Sequence, residues 1–187
     1  MPLILPHNGK IPKIAADAFI APNAVIIGDV EIGSRSSIWF NCVLRADVNY
    51  IRIGARTNIQ DGTIIHVDSG EGQSRTDART PPEGHPTVIG DDVLVGHMAM
   101  IHGCTLESGA FVGLKATLLD GVVVEGGAMV AAAAFVTPFK RVPRGEIWAG
   151  VPAKRIRDLS ADEMAQFRVA TDNYAHHGDE YRAMLSD

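Results

Sequence analysis

The stretch IAADAFIAPNAVIIGDVEIGSRSSIWFNCVL, residues Ile14 to Leu44, carries an aliphatic side chain at every sixth position: Ile14, Ile20, Ile26, Ile32, Ile38 and Leu44. The same step returns in Leu106, Val112, Leu118, Val124, Val130 and Val136, and in the shorter runs Ile53, Ile59, Ile65 and Ile89, Val95, Ile101. Ile, Leu and Val make up about a quarter of the chain, so six consecutive hits at a fixed phase arise by chance on the order of once in several thousand. Four residues after the aliphatic stands a small or β-branched residue in most hexads, among them Ala18, Ala24, Ser36, Cys42 and Ala110. Glycine often follows the aliphatic directly, as at Gly33, Gly54, Gly90, Gly96 and Gly113. A period of six matches neither the helical nor the alternating-strand repeat. That argues against a β-sandwich and for a parallel β-helix, in which each hexad is a short strand plus a corner. Three hexads, about 18 residues, then close one triangular coil. The aliphatic points into the prism, and each coil buries its faces only against its neighbours.

The register breaks three times. Three extra residues fall between Leu44 and Ile53, and one is missing between Ile101 and Leu106. Between Ile65 and Ile89 lies SGEGQSRTDARTPPEGHP, residues 69–86, polar and rich in Gly and Pro, which reads as a loop thrown out of the coil. The all-β prism therefore spans residues 1–157 with 69–86 inserted, and a second unit, 158–187, follows. There Ser160 and Glu163 form a capping-box pattern ahead of a helix over 161–185. Met164, Phe167, Tyr174, Tyr181 and Leu185 are its candidates for packing along the prism.

The 187-residue chain is 46% hydrophobic but only 6% aromatic, so its core must be small and branched aliphatics. A net charge of -5 gives no electrostatic case for nucleic acid or an anionic membrane. Two cysteines, Cys42 and Cys104, without CxxC spacing suit a reducing cytoplasm rather than a disulfide scaffold. The N-terminal stretch does not read as a signal peptide, and no apolar run reaches transmembrane length.

Counting hexads with 69–86 looped out puts those beginning at Leu44, Ile65 and Ile101 on one face of three successive coils. The residues that follow, Arg45, His66 and His102, then form a column at the ~4.8 Å spacing of neighbouring strands. The hexads of Ile38, Ile59 and Val95 stack on the adjacent face, with Phe40, Asp61 and His97 as their third residues. His66 and His102 can thus share a metal within one chain, while His97 sits around a corner. The simplest source of a third ligand is the His97 face of a second copy. Such a contact is heterologous and closes naturally as a threefold ring, a homotrimer with three sites between subunits. Three imidazoles and an open position are the ligand set of a catalytic zinc. His7, His85, His176 and His177 lack such placement and read as solvated, and Cys104 reads as a packing residue. Arg45 is expected to pair with Asp61 across the contact with Asp47 bracing it, and Gln60 to orient a bound oxygen.

RADVNYIRIGARTNIQDGTIIHVD, residues 45–68, followed by HPTVIGDDVLVGHMAMIHGC, residues 85–104, is similar to the γ-class carbonic anhydrase family. The motifs are R-x-D, N-x-Q-D, the first histidine, and G-H-x-x-x-x-H-G-C, and the resemblance runs through AGVPAK (149–154) to the terminal helix. It implies a left-handed β-helix trimer and reversible CO2 hydration to bicarbonate by a metal-bound hydroxide. His66, His97 and His102 are then the ligands of Zn2+, with Fe2+ or Co2+ able to take the same set. Arg45, Asp47, Asn58, Gln60 and Asp61 fall on the family's interface and support positions, and Tyr174 on the helical polar pair near the site. The chain departs from the archetype at Val48 and Ser69, where that enzyme carries proton-transferring glutamates. Asp68, Glu71 and Glu83 are the nearby carboxylates that could stand in. Rival readings are an acyltransferase, an acyl-CoA thioesterase, and a catalytically silent trimeric scaffold.

Overall fold

The computed structural model describes residues 1–70 and 79–185, so Glu71 and the middle of the inserted loop lie outside the described residues. The chain winds as a parallel β-helix of three stacks. The first joins Leu3–Leu5, the start of Val25–Ile32, the start of Val43–Ile53, Ile64–His66, Met100–His102, Thr117–Leu118 and Phe135–Val136. The second runs from Lys13–Ile14 through Thr87–Ile89 to Arg141–Val142. The third runs from Phe19–Ile20 through Asn58–Ile59 and Leu94–Val95 to Glu146–Gly150. Ala153–Asp158 folds back antiparallel on Glu146–Gly150 and ends the stacking.

The period has a conformational cause. In twelve hexads from Arg35 to Phe139 the residue three after the inward aliphatic turns a corner with φ between +50° and +78°: Arg35, Asn41, Arg56, Gly62, Asp92, Met98, Gly109, Lys115, Gly121, Gly127, Ala133 and Phe139. Most are not glycine and hold a costly left-handed backbone only because the coils above and below over-determine it. The hexad of Ile101 is one residue short, and its corner comes early, at Gly103 (φ +53°). The inward aliphatics from Ile26 to Val142 are at most 4% exposed. Ile14 and Ile20, in the first coil, are only half-buried because a neighbour covers one side alone. That coil is also bordered by proline: Pro2 and Pro6 flank Leu3–Leu5, and Pro12 precedes Lys13–Ile14.

The glycines after the aliphatics form a ladder of close approaches. A Cβ on Gly33 would stand 2.6 Å from the Gly54 backbone, one on Gly54 2.6 Å from Gly90, and one on Gly90 2.6 Å from Ser108. The three extra residues before Ile53 appear as a register jog, with Gly28 opposite Ala46 but Val30 opposite Ile51. The bulged segment carries Asp47 and turns it toward the neighbouring coil, a common use of bulges beside sites. The base of the inserted loop is tied down by Asn49, whose Nδ2 donates to the carbonyls of Asp68 (3.1 Å) and Glu83 (2.9 Å).

The helix spans Ala161–Met184, and its capping box is formed in both directions: Ser160 Oγ accepts the Glu163 N–H and Glu163 accepts the Ser160 N–H. Arg157 grips the same carboxylate, and these bonds pull the Glu163 carboxyl down to about 2. The face that packs on the prism includes the expected Phe167, Tyr174 and Tyr181 but departs from expectation at Met164 and Leu185. Phe167, Thr171, Ala175 and Gly178 are buried, whereas Leu185 is 49% exposed and Met164 only half-buried. Small residues are required because the helix lies close: a Cβ on Gly178 would stand 3.4 Å from those of Phe19 and Ser37. Tyr174 and Tyr181 set their edges against Trp39 at 5.7 and 5.1 Å. Among the described residues no helix is long and apolar enough to cross a membrane.

Candidate metal centre

Ile65 and Ile101 lie directly over one another in the first stack, so the residues after them do too: His66 pairs with His102 in register. Their ring nitrogens converge, His66 Nδ1 standing 3.0 Å from His102 Nε2. The opposite nitrogen of each ring faces a carboxylate. His66 Nε2 is 3.0 Å from Asp47 Oδ1, and His102 Nδ1 is 2.6 Å from Asp120 Oδ1. A carboxylate accepts, so each of those nitrogens carries the hydrogen and each converging nitrogen is left with a lone pair. Two acceptors 3.0 Å apart repel unless a proton or a cation lies between them. The separation is close to the about 3.3 Å edge of a tetrahedral zinc site with Zn–N bonds near 2.05 Å. The donor chemistry of His66 and His102 therefore fits a metal ion.

Burial lowers the His66 pKa below the ordinary imidazole value, outweighing the hydrogen bond to Asp47, and so favours the neutral ring that a metal requires. For Asp47 the balance is reversed. Burial works against its charge, but the hydrogen bonds from His66 and Arg45 outweigh it and hold the carboxyl below the usual aspartate value.

His97 stands on the third stack, one corner away, and repeats the arrangement. Its Nδ1 is 2.8 Å from Asp61 Oδ2, and its backbone N–H donates to Gln60 Oε1 at 3.2 Å. Its side chain is 40% exposed, against 19% for His66 and 28% for His102, so its remaining nitrogen is the one most open to a partner. Among the described residues of one chain, no group of three or more His, Cys, Asp or Glu side chains is placed to hold an ion. One chain brings together two ring nitrogens and presents the third separately.

The other expected residues divide. Gln60, His97 and Tyr174 line a cleft of about 380 Å³ between the prism and the helix, walled by Leu94, Phe111 and Leu114. Burial, and then the charge of Asp61, raise the Tyr174 phenol above its ordinary value. Arg45 is paired with Asp47. Asn58 lies elsewhere, 1% exposed, donating to Ser37 Oγ at 2.8 Å in a buried network with Trp39, and it is not among the cleft-lining residues. Cys104 is fully buried, and burial pushes its thiol up to about 12, as suits a packing residue. His85 is not solvated as expected: its Nε2 is buried without a hydrogen-bond partner among the described residues, and its ring packs edge-on against Phe139 at 5.6 Å. Sequence reasoning misses Asp120: Ile101 pairs with Leu118, so the coil after His102 is 17 residues long, and Asp120 lies one residue past the place in the column.

Known proteins bear on this geometry. The hexapeptide profile described as bacterial transferase hexapeptide (six repeats) matches residues 11–46. The chain is 52% identical over 167 residues to gamma carbonic anhydrase 2, mitochondrial, of Arabidopsis thaliana, aligning 88% of itself but only 56% of that protein's length. It is 37% identical over 182 residues to a carbonic anhydrase of Geobacillus kaustophilus, covering 97% of itself and 92% of the relative. The crystal structure of a hexapeptide transferase family protein from Anaplasma phagocytophilum superposes with a TM-score of 0.85 at 40% identity, covering 96% of this chain and 98% of that one. With 52% identity to a gamma carbonic anhydrase and a match to the bacterial carbonic anhydrase over nearly its whole length, the chain belongs to the γ-class carbonic anhydrase family of hexapeptide-repeat proteins.

Proposed function

We propose that the chain catalyses reversible hydration of CO2 at a metal shared between subunits of a cytoplasmic homotrimer. His66 and His102 of one copy and His97 of the next would hold Zn2+, or Fe2+ or Co2+ in the same ligands. The observation that carries this reading is the pair of lone-pair nitrogens 3.0 Å apart, each set by its own aspartate, beside a third aspartate-held histidine that faces away from them. When bound, the ion supplies the acidity that makes hydroxide available to CO2 near neutral pH. Asp47, Asp61 and Asp120 fix the tautomers and orientations of the three rings. Leu94, Phe111 and Leu114 give an apolar wall for CO2, and the Gln60 amide nitrogen is the donor that can orient a substrate oxygen. Arg45 of one copy would meet Asp61 of the next. The face carrying His66 and His102 suits a partner, because its outward column reads Val25, Val43, Ile64, Met100, Thr117 and Phe135.

The test is stopped-flow CO2 hydration on protein of known metal content, loaded with zinc and, anaerobically, with iron(II). Hydration that disappears with a chelator and returns with the ion is expected. Protein holding one ion per chain with no hydration would sink the reading and bring acyl transfer or acyl-CoA hydrolysis forward. A separate readout addresses the aspartates. Asp120→Ala should leave the fold intact and weaken metal binding by about 10–100-fold, the usual consequence of losing a ligand's hydrogen-bond partner. Competition against a chromophoric chelator measures it, and unchanged affinity would remove Asp120 from the site.

A further inference from the structure

Each CO2 hydrated leaves one proton (CO2 + H2O gives bicarbonate and a proton), and turnover cannot continue until that proton reaches the buffer. The positions where the archetype has glutamates hold Val48, 51% exposed and apolar, and Ser69, neither of which can carry it. Imidazole is the side chain whose pKa best balances taking and releasing a proton near pH 7. Of the histidines outside the ligand set, His85 has a buried nitrogen, and His7 borders a separate pocket beside Asp47. His177 is different. It lies three residues after Tyr174 on the same helix face, and its exposed ring meets the Tyr174 ring at 5.9 Å between centroids, edge to face. Tyr174 lines the cleft that holds His97 and Gln60. On its outer side His177 is followed by the His176 ring at 6.4 Å, itself 3.3 Å from Glu180.

Resting on the hydration reading, we propose that His177 is the proton carrier of this enzyme, receiving the product proton through water in the His97–Tyr174 cleft and passing it to external buffer. The cleft, at about 380 Å³, has room for several waters at roughly 30 Å³ each. The Tyr174 phenol, held above its ordinary value, stays protonated and shapes the path rather than serving as a base. A ring nitrogen of His177 takes the proton on its lone pair, and the imidazolium then gives it to a buffer base, so the step needs no other reactant.

The experiment compares wild type, His177→Ala and His7→Ala with full metal content. At low buffer His177→Ala should lose kcat by about tenfold or more, with kcat/KM for CO2 unchanged, and concentrated imidazole should restore it. A readout independent of activity is hydrogen–deuterium exchange at the imidazole C2 position, followed by mass spectrometry on the assembled, metal-loaded protein. His177 should exchange as an open ring. A His177 ring protected from exchange overturns the proposal. So does an active wild type whose kcat is insensitive to His177→Ala, or one that loses kcat through His7→Ala instead. A wild type that holds its metal but hydrates no CO2 overturns the function reading, and this proposal with it.

Discussion

His97→Ala should yield a folded protein that has lost its metal, although His66 and His102 remain in place. The side chain is exposed at a corner of the third stack and contributes nothing to the apolar interior, so circular dichroism and the apo melting temperature should stay close to wild type. Metal affinity should fall by more than the roughly 10–100-fold that follows loss of a mere outer partner, since a ligand itself is gone. The stronger form of the prediction uses two defective chains. His97→Ala retains the converging pair, and a His66→Ala/His102→Ala chain retains only the lone donor. Neither should bind metal alone. Mixed through unfolding and refolding, they should recover about a quarter of the wild-type sites, because each mixed threefold ring contains one contact that joins an intact pair to an intact His97. A site built inside one chain would recover none, and metal counting on the mixture separates the two.

Gly54→Ala should be strongly destabilising, although it adds only one methyl to the prism. Its Cβ would stand 2.3 Å from Asp91 Oδ1, 2.6 Å from the Gly90 carbonyl carbon and 2.7 Å from the Asp91 nitrogen. Two of these are backbone, so no rotamer change relieves the contact, and the third belongs to a carboxylate that accepts the Ala55 N–H at 2.7 Å. Overpacking usually costs about 1–3 kcal/mol, and a collision with the backbone of the next coil belongs at or above the upper end. At about 2–4 °C per kcal/mol for a domain of this size, the melting temperature should drop by roughly 6–12 °C. Gly178→Ala is the control. Its Cβ meets only two other Cβ atoms at 3.4 Å, and alanine gains about 0.5–1 kcal/mol over glycine in a helix, so it should be neutral or slightly stabilising. Thermal melts at one protein concentration and without metal would read both, and equal effects would refute the steric account of the ladder.

The prism was legible because its rule is local: an inward aliphatic and a left-handed corner repeat every six residues, and each sequence break matches a structural one. Leu44 over Ile65 over Ile101 followed from counting alone, and with it the His66–His102 column. Asp120 escapes because the coil after His102 is one residue short, so counting by register lands on Leu119 and not on its neighbour. The small residues of the helix face escape for a different reason. Bulk was used as the sign of contact, but a helix lying this close on a sheet buries Thr171, Ala175 and Gly178, which no apolar pattern marks. His85 reads as solvated because the register gives it no place beside the other histidines, and the local sequence carries no sign that the ring folds back over Gly121 and Phe139.

The prolines of the first coil bear on how such a molecule remains finite. A parallel β-helix is in principle an open polymer, since every coil offers the next an almost identical bed of amides and carbonyls along the axis. At the far end the antiparallel hairpin changes the pattern and withdraws the invitation. At the near end, four of the ten prolines fall within the first 22 residues, at Pro2, Pro6, Pro12 and Pro22. Each lacks the N–H that an incoming strand would need, and proline at an exposed edge is a recurrent defence against strand addition. Replacing them with residues that restore the donors would leave the interior untouched while giving the stack a free growing tip, and end-to-end fibres rather than unfolding would be the characteristic fault of such a chain.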